Sequence, residues 1–370
     1  MTQPGPLAGL RVVEFDAIGP VPLACMILAD LGCDVIRVAR KAGAAKVWDD
    51  IGGSVLHRNR GHVEVDLKNA DDRADVLDLI ARADAVMEGF RPGVMERLGL
   101  GPAECLAANP KLAFVRMTGW GQTGPLAPRA GHDINYIALT GALHAMGEAD
   151  RPPVPPLNYL GDYGGGAMFA VVGLLSAVMN ARTTGRGQTV DVAMVEGTAV
   201  LSSLFHAMIA SGLWSDRRGS NLIDGSAPFY RCYACADGGH VAVGALEPQF
   251  FALLLDGLGI GRDRFVQHDR SAWPEMTAAF ETAFLTRPRD AWAEVFEGVD
   301  ACVSPVLSFA EAADHPHNRA RGVFATANGV SQPVPAPRFS AGAFGIAPTS
   351  GPRTVADALA NWQQKIVRPV

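Results

Sequence analysis

Short apolar runs dense enough to be buried on both faces alternate, from the start of the chain, with segments whose apolar positions recur at helical spacing. LRVVEF, residues 10–15, reads as a buried strand; PLACMILADLG, residues 22–32, is helical in period with Gly32 as a natural stop; CDVIRVA is the next strand. The alternation continues with a strand at HVEVDL, a helix through ADDRADVLDLIARA, a strand at DAVMEGF, short helices at PGVMERLG and GPAECLAANP, and a strand at LAFVRMT. Repeated strand–helix–strand units of this kind predict a parallel doubly wound sheet in an α/β fold. Such sheets bind ligands beyond the carboxyl ends of their strands, which directs attention to the stretches just after Glu14, Val38, Glu88 and Thr118.

After Thr118 the pattern breaks into an irregular stretch rich in Gly and Pro, from Gly119 to Gly166, too apolar for disorder and long enough to suggest function. Two apolar helices are expected next, over 167–181 and roughly 190–213, separated by TTGRGQ. Residues 222–324 read as a smaller α+β unit, with strands around FYRCYA, HVAVGA and CVSPVL and amphipathic helices at PQFFALLLDGLG, WPEMTAAFETAFLT and RDAWAEVFEGV. The expected organisation is a large domain over 1–188 completed by 334–370, a linker helix region over 189–221, the small domain over 222–324, and a return linker over 325–333. Two domains also suit 370 residues, since a single core stops growing at about 250–300.

Composition narrows the function. A 48% hydrophobic content rules out a disordered chain, and a formal charge of −6 with scattered Lys and Arg leaves no basic footprint for nucleic acid. The opening MTQPGPLAGLRVVEF has neither a cationic start nor a long apolar stretch, and the other apolar runs are short or interrupted by Gly, so a soluble cytoplasmic protein is expected. Six cysteines in a chain this long do not suggest a disulfide framework; Cys232 and Cys235 form one CxxC, without the βαβ setting of a redox site or a second pair to complete zinc.

Three further motifs carry little. GWGQTG, residues 119–124, fits G-x-G-x-x-G after a strand but runs into Pro125 and Pro128 instead of a helix, so the phosphate-binding helix N-terminus is missing. His315 and His317 flank Pro316 with no carboxylates at metal spacing. Met146, Met168, Met194 and Met208 suit a greasy slot but equally ordinary core filling.

The segments GHDINY, residues 131–136, and PPLNYLGDYGGG, residues 155–166, are different. Each places an ionisable residue, His132 and Asp162, in a Gly-bounded turn where backbone can approach a ligand closely. Asp162 also precedes an apolar helix, whose exposed amides favour an anion there. Taken singly, Asp162 is a helix cap and His132 a loop histidine with a satisfied hydrogen bond.

Taken with MTGWGQTGP, RGQTVDVAMVEG, VAVGALEPQF, the EGFRPGVMERLGLGP block and DACVSPVL, these segments make the chain resemble, essentially end to end, the α-methylacyl-CoA racemases of the class III CoA-transferase (CaiB/BaiF-like) superfamily. The resemblance implies a Rossmann-like large domain built from both termini, a small domain between them, and an interlocked homodimer whose active site lies between the large domain of one chain and the small domain of its partner. It implies a 2-methylacyl-CoA substrate and no metal or organic cofactor, while charge and hydropathy, as above, give no expectation of a nucleic-acid or membrane partner. His132 and Asp162 are the implied acid/base pair, with Glu247 orienting His132, Asn158 bonding near Asp162, and Tyr230 as a further pocket residue. Implied substrate and CoA contacts are Arg40, Val65, Asp66, Leu67 and Lys68, then Gly89, Phe90, Arg91 and Arg97. Gly131, Asp133, Tyr136, Gly161, Tyr163 and Gly164 complete them.

The chemistry fits those residue types. Inverting the C2 centre of a thioester requires removing a weakly acidic proton from one face and returning one to the other, through an enolate that two opposed acid/base groups can serve. The backbone amides of the Asp162–Gly166 turn are expected to receive the enolate oxygen. The alternative within the superfamily is a CoA-transferase in which Asp162 is the nucleophile; His132 and the absence of a Gly run near Glu247 favour the racemase. A silent CoA-binding member is disfavoured because His132, Asp162, Asn158 and Glu247 are all present.

Overall fold

Residues 11–118 build the strand–helix alternation that their apolar pattern predicts. In the computed structural model, which describes residues 5–41, 52–340, 342, 344–350 and 352–364, the strands are β1 (Arg11–Phe15), β2 (Asp34–Arg40), β3 (Gly61–Val65), β4 (Ala85–Glu88) and β5 (Ala113–Thr118). Between them lie α1 (Pro20–Asp30), α2 (Gly53–Leu56), α3 (Ala70–Ile80), α4 (Val94–Arg97) and α5 (Pro102–Ala108). Residues 48–51 of the stretch WDDIGGSVLH lie outside the described residues.

A sixth strand, β6 (Gln188–Ala193), and a two-residue strand Pro352–Arg353 complete a seven-stranded sheet in which every pairing is parallel. The order from one edge is Pro352–Arg353, β3, β2, β1, β4, β5, β6, so the chain reverses its direction of travel between β1 and β4. The central strands are buried on both faces, as parallel strands covered by helices must be. One face packs Val12, Met87 and Val115 against α1 and α7 (Phe169–Thr184). The other packs Val13, Ile36 and Phe114 against α3, α5 and the C-terminal helix Val355–Gln364, through Leu79, Cys105 and Trp362.

The chain divides into two units. The first comprises residues 1–140, 156–202 and 316–370, and the second 141–155 and 203–315. The expected linker helix region over 189–221 is therefore divided: its first residues are β6, bonded along its length to β5, and α8 (Met194–Leu201), both in the first unit, while α9 (Ser203–Ala210) belongs to the second. QTVDVA is compatible with a strand, Val190 and Val192 alternating with Thr189 and Asp191 at period two, after Gly185 has ended α7 in a left-handed turn at φ 74°. The Gly119–Gly166 stretch is also more ordered than expected. It contains α6 (Asp133–Ala138) and opens a ten-residue π-helix, Tyr159–Met168, that continues into α7.

That π-helix and α7 together form 26 helical residues, Tyr159–Thr184, long and apolar enough by length and composition to cross a membrane despite their glycines. Ala170, Leu174, Ala177 and Val178 of this helix are buried in the core of the first unit.

In the second unit an antiparallel sheet of β7 (Tyr230–Ala234), β8 (His240–Gly244) and β9 (Val303–Val306) packs one face on α10 (Pro248–Leu258), α11 (Trp273–Phe284) and α12 (Arg289–Val295). An aromatic core of Phe229, Tyr233, Phe280, Phe284 and Trp292 fills the interface between them. The other sheet face lines a cleft of about 950 Å³ that includes Tyr230, Cys232 and Cys302. Cys232 is exposed and Cys235 buried, and both are free thiols, so the CxxC is split between two environments.

Candidate active site

At the reversal between β1 and β4, the loops after β1, β4 and β5 leave a cleft of about 380 Å³ at the carboxyl edge of the sheet. This is where an open α/β sheet is expected to hold a ligand. Ile18 and Gly19 enter it from β1, Gly89, Phe90 and Arg91 from β4, and Gly119 and Trp120 from β5; His132 and Asp162 face the same space.

Each loop is fixed by the sequence around it. After β4, the Phe90 N–H donates to Glu88 Oε2 at 2.7 Å, while Arg116 on β5 donates from Nε to Glu88 Oε1 at 2.9 Å and from Nη1 to Glu96 Oε1 at 2.7 Å. A Cβ at Gly89 would lie 3.0 Å from Val21 Cγ2, so glycine lets this turn close onto α1. After β1, Gly19 has a left-handed φ of 85° and precedes Pro20 at the start of α1; a Cβ there would sit 3.4 Å from Asp162 Oδ2. After β5, GWGQTG forms turns and no helix, with the Gly121 N–H donating to Thr118 Oγ1 at 2.9 Å. The dinucleotide reading of that motif is excluded by this geometry.

His132 caps α6, its backbone N–H donating to Asn135 Oδ1 at 3.0 Å, and its side chain is exposed toward the cleft. Tyr136, one turn on, is buried with its ring edge-on to Trp120 at 4.8 Å and its hydroxyl donating to the Gly131 carbonyl. Burial, reinforced by the charge of Asp162, pushes the Tyr136 phenol up to about 12. Asp162 is half-buried inside the π-helix, and Asn158 Nδ2 donates to its Oδ2 at 3.3 Å. Burial raises the Asp162 carboxyl above the ordinary carboxylate range; the Asn158 bond opposes that, the charge of Asp133 adds to it, and His132 lowers it.

Of the residues singled out from the sequence, His132, Asp162, Gly89, Phe90, Arg91, Gly131 and Tyr136 come together in this cleft. Others do not. Asp133 is 6% exposed, and its carboxylate faces the protein interior. A Cβ at Gly161 would meet Asp133 Oδ2 at 2.7 Å and one at Gly164 would meet Leu201 Cδ1 at 3.0 Å, so these glycines serve helix packing, and Tyr163 packs near Tyr159. The Asp162 N–H donates to Asp133 and the Tyr163 N–H to the Asn158 carbonyl, so the first amides of the expected enolate cradle are already engaged. Arg40, Val65, Asp66, Leu67 and Lys68 stand at the carboxyl ends of β2 and β3, with the Val65 side chain buried, and Arg97 is exposed at the end of α4. Glu247 and Tyr230 belong to the second unit, Glu247 exposed at the N-terminus of α10.

The sequence reading missed Gly19, Trp120 and Arg129, which also line the cleft, as does Met194, one of the four methionines weighed for an apolar slot. The Gly19–Pro20 pair just after the first strand was the available signal, since it marks a turn at a strand's carboxyl end. Among the described residues no group of three or more His, Cys, Asp or Glu side chains is placed to hold a metal ion.

Residues 7–354 match the family model of CoA-transferase family III. The chain is 45% identical over 336 residues to alpha-methylacyl-CoA racemase of Mus musculus, covering 90% of this chain and 86% of that protein. It is 42% identical over 333 residues to alpha-methylacyl-CoA racemase of Homo sapiens, with the same two shares. A crystal structure of a CAIB/BAIF family protein from Brucella suis superposes with a TM-score of 0.81 at 27% identity, covering 97% of this chain and all of that one.

Proposed function

The chain belongs to CoA-transferase family III, and from that premise we propose that it racemises the C2 centre of 2-methylacyl-CoA thioesters, as the names of its mouse and human relatives indicate for those proteins. The observation that carries the reading is that a histidine and a carboxylate, His132 and Asp162, line one small cleft at the carboxyl edge of the sheet.

A two-group proton transfer uses them directly. In one direction the Asp162 carboxylate takes the C2 proton, the electron pair moves to the thioester oxygen as an enolate, and protonated His132 returns a proton to the opposite face. The reverse direction runs from neutral imidazole and the protonated acid. A carboxyl raised by burial is a better base for a weakly acidic C–H than an exposed one. Arg91 and Arg129 supply positive charge at the cleft for the CoA phosphates. The thioester acidifies the α-carbon itself, so the scheme calls for no cofactor.

The active unit in this reading is a homodimer with Glu247 supplied by the partner. Exposed apolar side chains support a covered surface: Val172 and Met179 on α7 and Val200 on α8 in the first unit, Leu204 and Leu213 in the second.

The test is proton NMR in deuterium oxide on one epimer of a 2-methylacyl-CoA with a free carboxylic acid present. Deuterium entering C2 with loss of stereochemical purity is the expected result. CoA appearing on the added acid with C2 untouched would overturn it and make Asp162 a nucleophile instead of a base.

A further inference from the structure

We infer that Asp133 is a positioning residue, whose carboxylate ties the start of the π-helix to the start of α6 and so sets where Asp162 stands relative to His132. The inference rests on the reading of those two residues as the proton-transfer pair.

The tie is a single oxygen. Asp133 Oδ2 accepts the Gly161 N–H at 2.7 Å and the Asp162 N–H at 2.7 Å, so it holds the backbone of the reacting carboxylate itself. Its own backbone is the next residue after His132, which leaves no flexible segment between the tie and the imidazole. Residue 161 must be glycine for this arrangement, because a Cβ there would come within 2.7 Å of the same oxygen.

A neutral acceptor could make both bonds, yet the position carries a carboxylate that is 6% exposed and whose Oδ1 is buried without a partner. Burying a charge in this way is unfavourable unless it does something that an amide would not. The charge stands beside the carboxyl that must act as base. Around Asp162, α6 contributes His132, Asp133 and Tyr136, and the residue ahead of the π-helix, Asn158, donates a hydrogen bond. Gly19 and Pro20–Pro22 at the start of α1 bring no ionisable group, the loops after β4 and β5 bring the cations Arg91 and Arg129 to the same cleft, and Glu196 on α8 is exposed. Asp133 is thus the anionic neighbour that, after burial, keeps the Asp162 carboxyl high.

The experiment measures epimerisation and C2–H exchange in deuterium oxide, as functions of pH, for the wild-type protein, Asp133→Ala and Asp133→Asn. Asp133→Ala is expected to lose 100-fold or more in kcat while KM changes less than threefold. Asp133→Asn keeps one oxygen able to accept both amides and is expected to return to within tenfold of wild type. Its acid limb moves to lower pH, because the neighbouring negative charge is gone. An alanine variant within threefold of wild type overturns the inference, as does an asparagine variant no better than alanine. If Asp133→Ala does not fold, an unmoved acid limb in Asp133→Asn overturns it alone. A wild-type protein that exchanges no C2 proton would instead sink the racemase reading, so the two failures are distinct.

Discussion

At Asp162 two opposing influences meet: burial raises the carboxyl, and the Asn158 amide, donating at 3.3 Å, stabilises the charged form. A general base works only when ionised, so activity should fall, as pH drops, at a higher pH than for an ordinary carboxylate. Removing the donor in Asn158→Ala takes away a hydrogen bond that favours the anion. Its acid limb is expected at higher pH still, with kcat down about tenfold, the worth of one hydrogen bond to a charged group; a kcat–pH profile checks this. A limb that stays in place or moves down would mean that Asn158 does not act on Asp162. The shift is opposite in sign to the one expected for Asp133→Asn.

The element that presents Asp162 is a π-helix of ten residues, a rare form that recurs at functional sites. Glycines make it possible to pack. A Cβ at Gly197 on α8 would lie 2.0 Å from the Gly165 carbonyl oxygen, and one at Gly165 would lie 2.7 Å from the Thr198 amide nitrogen. These are backbone contacts that cannot rotate away. Gly165→Ala is therefore expected to cost about 1–3 kcal/mol, the usual range for overpacking, and to lower epimerase activity through the displaced Asp162. Denaturant melts of the two proteins check the stability; equal midpoints would mean the two helices can separate freely. The GDYGGG run was legible as a place where backbone comes close, but the partner of that approach was not. Sequence places Gly197 and Gly165 32 positions apart, and only the folded contact shows that each glycine is needed for the other.

For the whole molecule, the proposal of a site shared between chains makes a sharp prediction. A chain carrying His132→Ala and a chain carrying Glu247→Gln should each be defective as homodimers. Co-expressed and purified through two tags, the mixed dimer keeps one site with His132 and Asp162 from one chain and Glu247 from the other. It should recover about half the wild-type activity per dimer, measured by epimerisation. No recovery in a mixed dimer would show that Glu247 serves the cleft of its own chain or none.

The strand–helix alternation through Thr118 and the Gly-bounded turns that carry His132 and Asp162 were legible in the chain, because they follow from local apolar period and from turn chemistry, whereas the pairing of those two residues came from the resemblance and not from either residue alone. Three things came only with the tertiary structure. The six-residue segment Gln188–Ala193 became a strand because β5 offered it an edge to pair with along its whole length. The reversal of strand order between β1 and β4 brought residues 18–19, 89–91, 132 and 162 around one space, which no local pattern encodes. Asp133 turned from an expected substrate contact into an internal tie, because its carboxylate met the amides of Gly161 and Asp162 across 28 and 29 residues of sequence. Local propensity reports what a segment can form; hydrogen-bond partners and close backbone approaches are settled between segments, when packing decides which groups are taken out of water together.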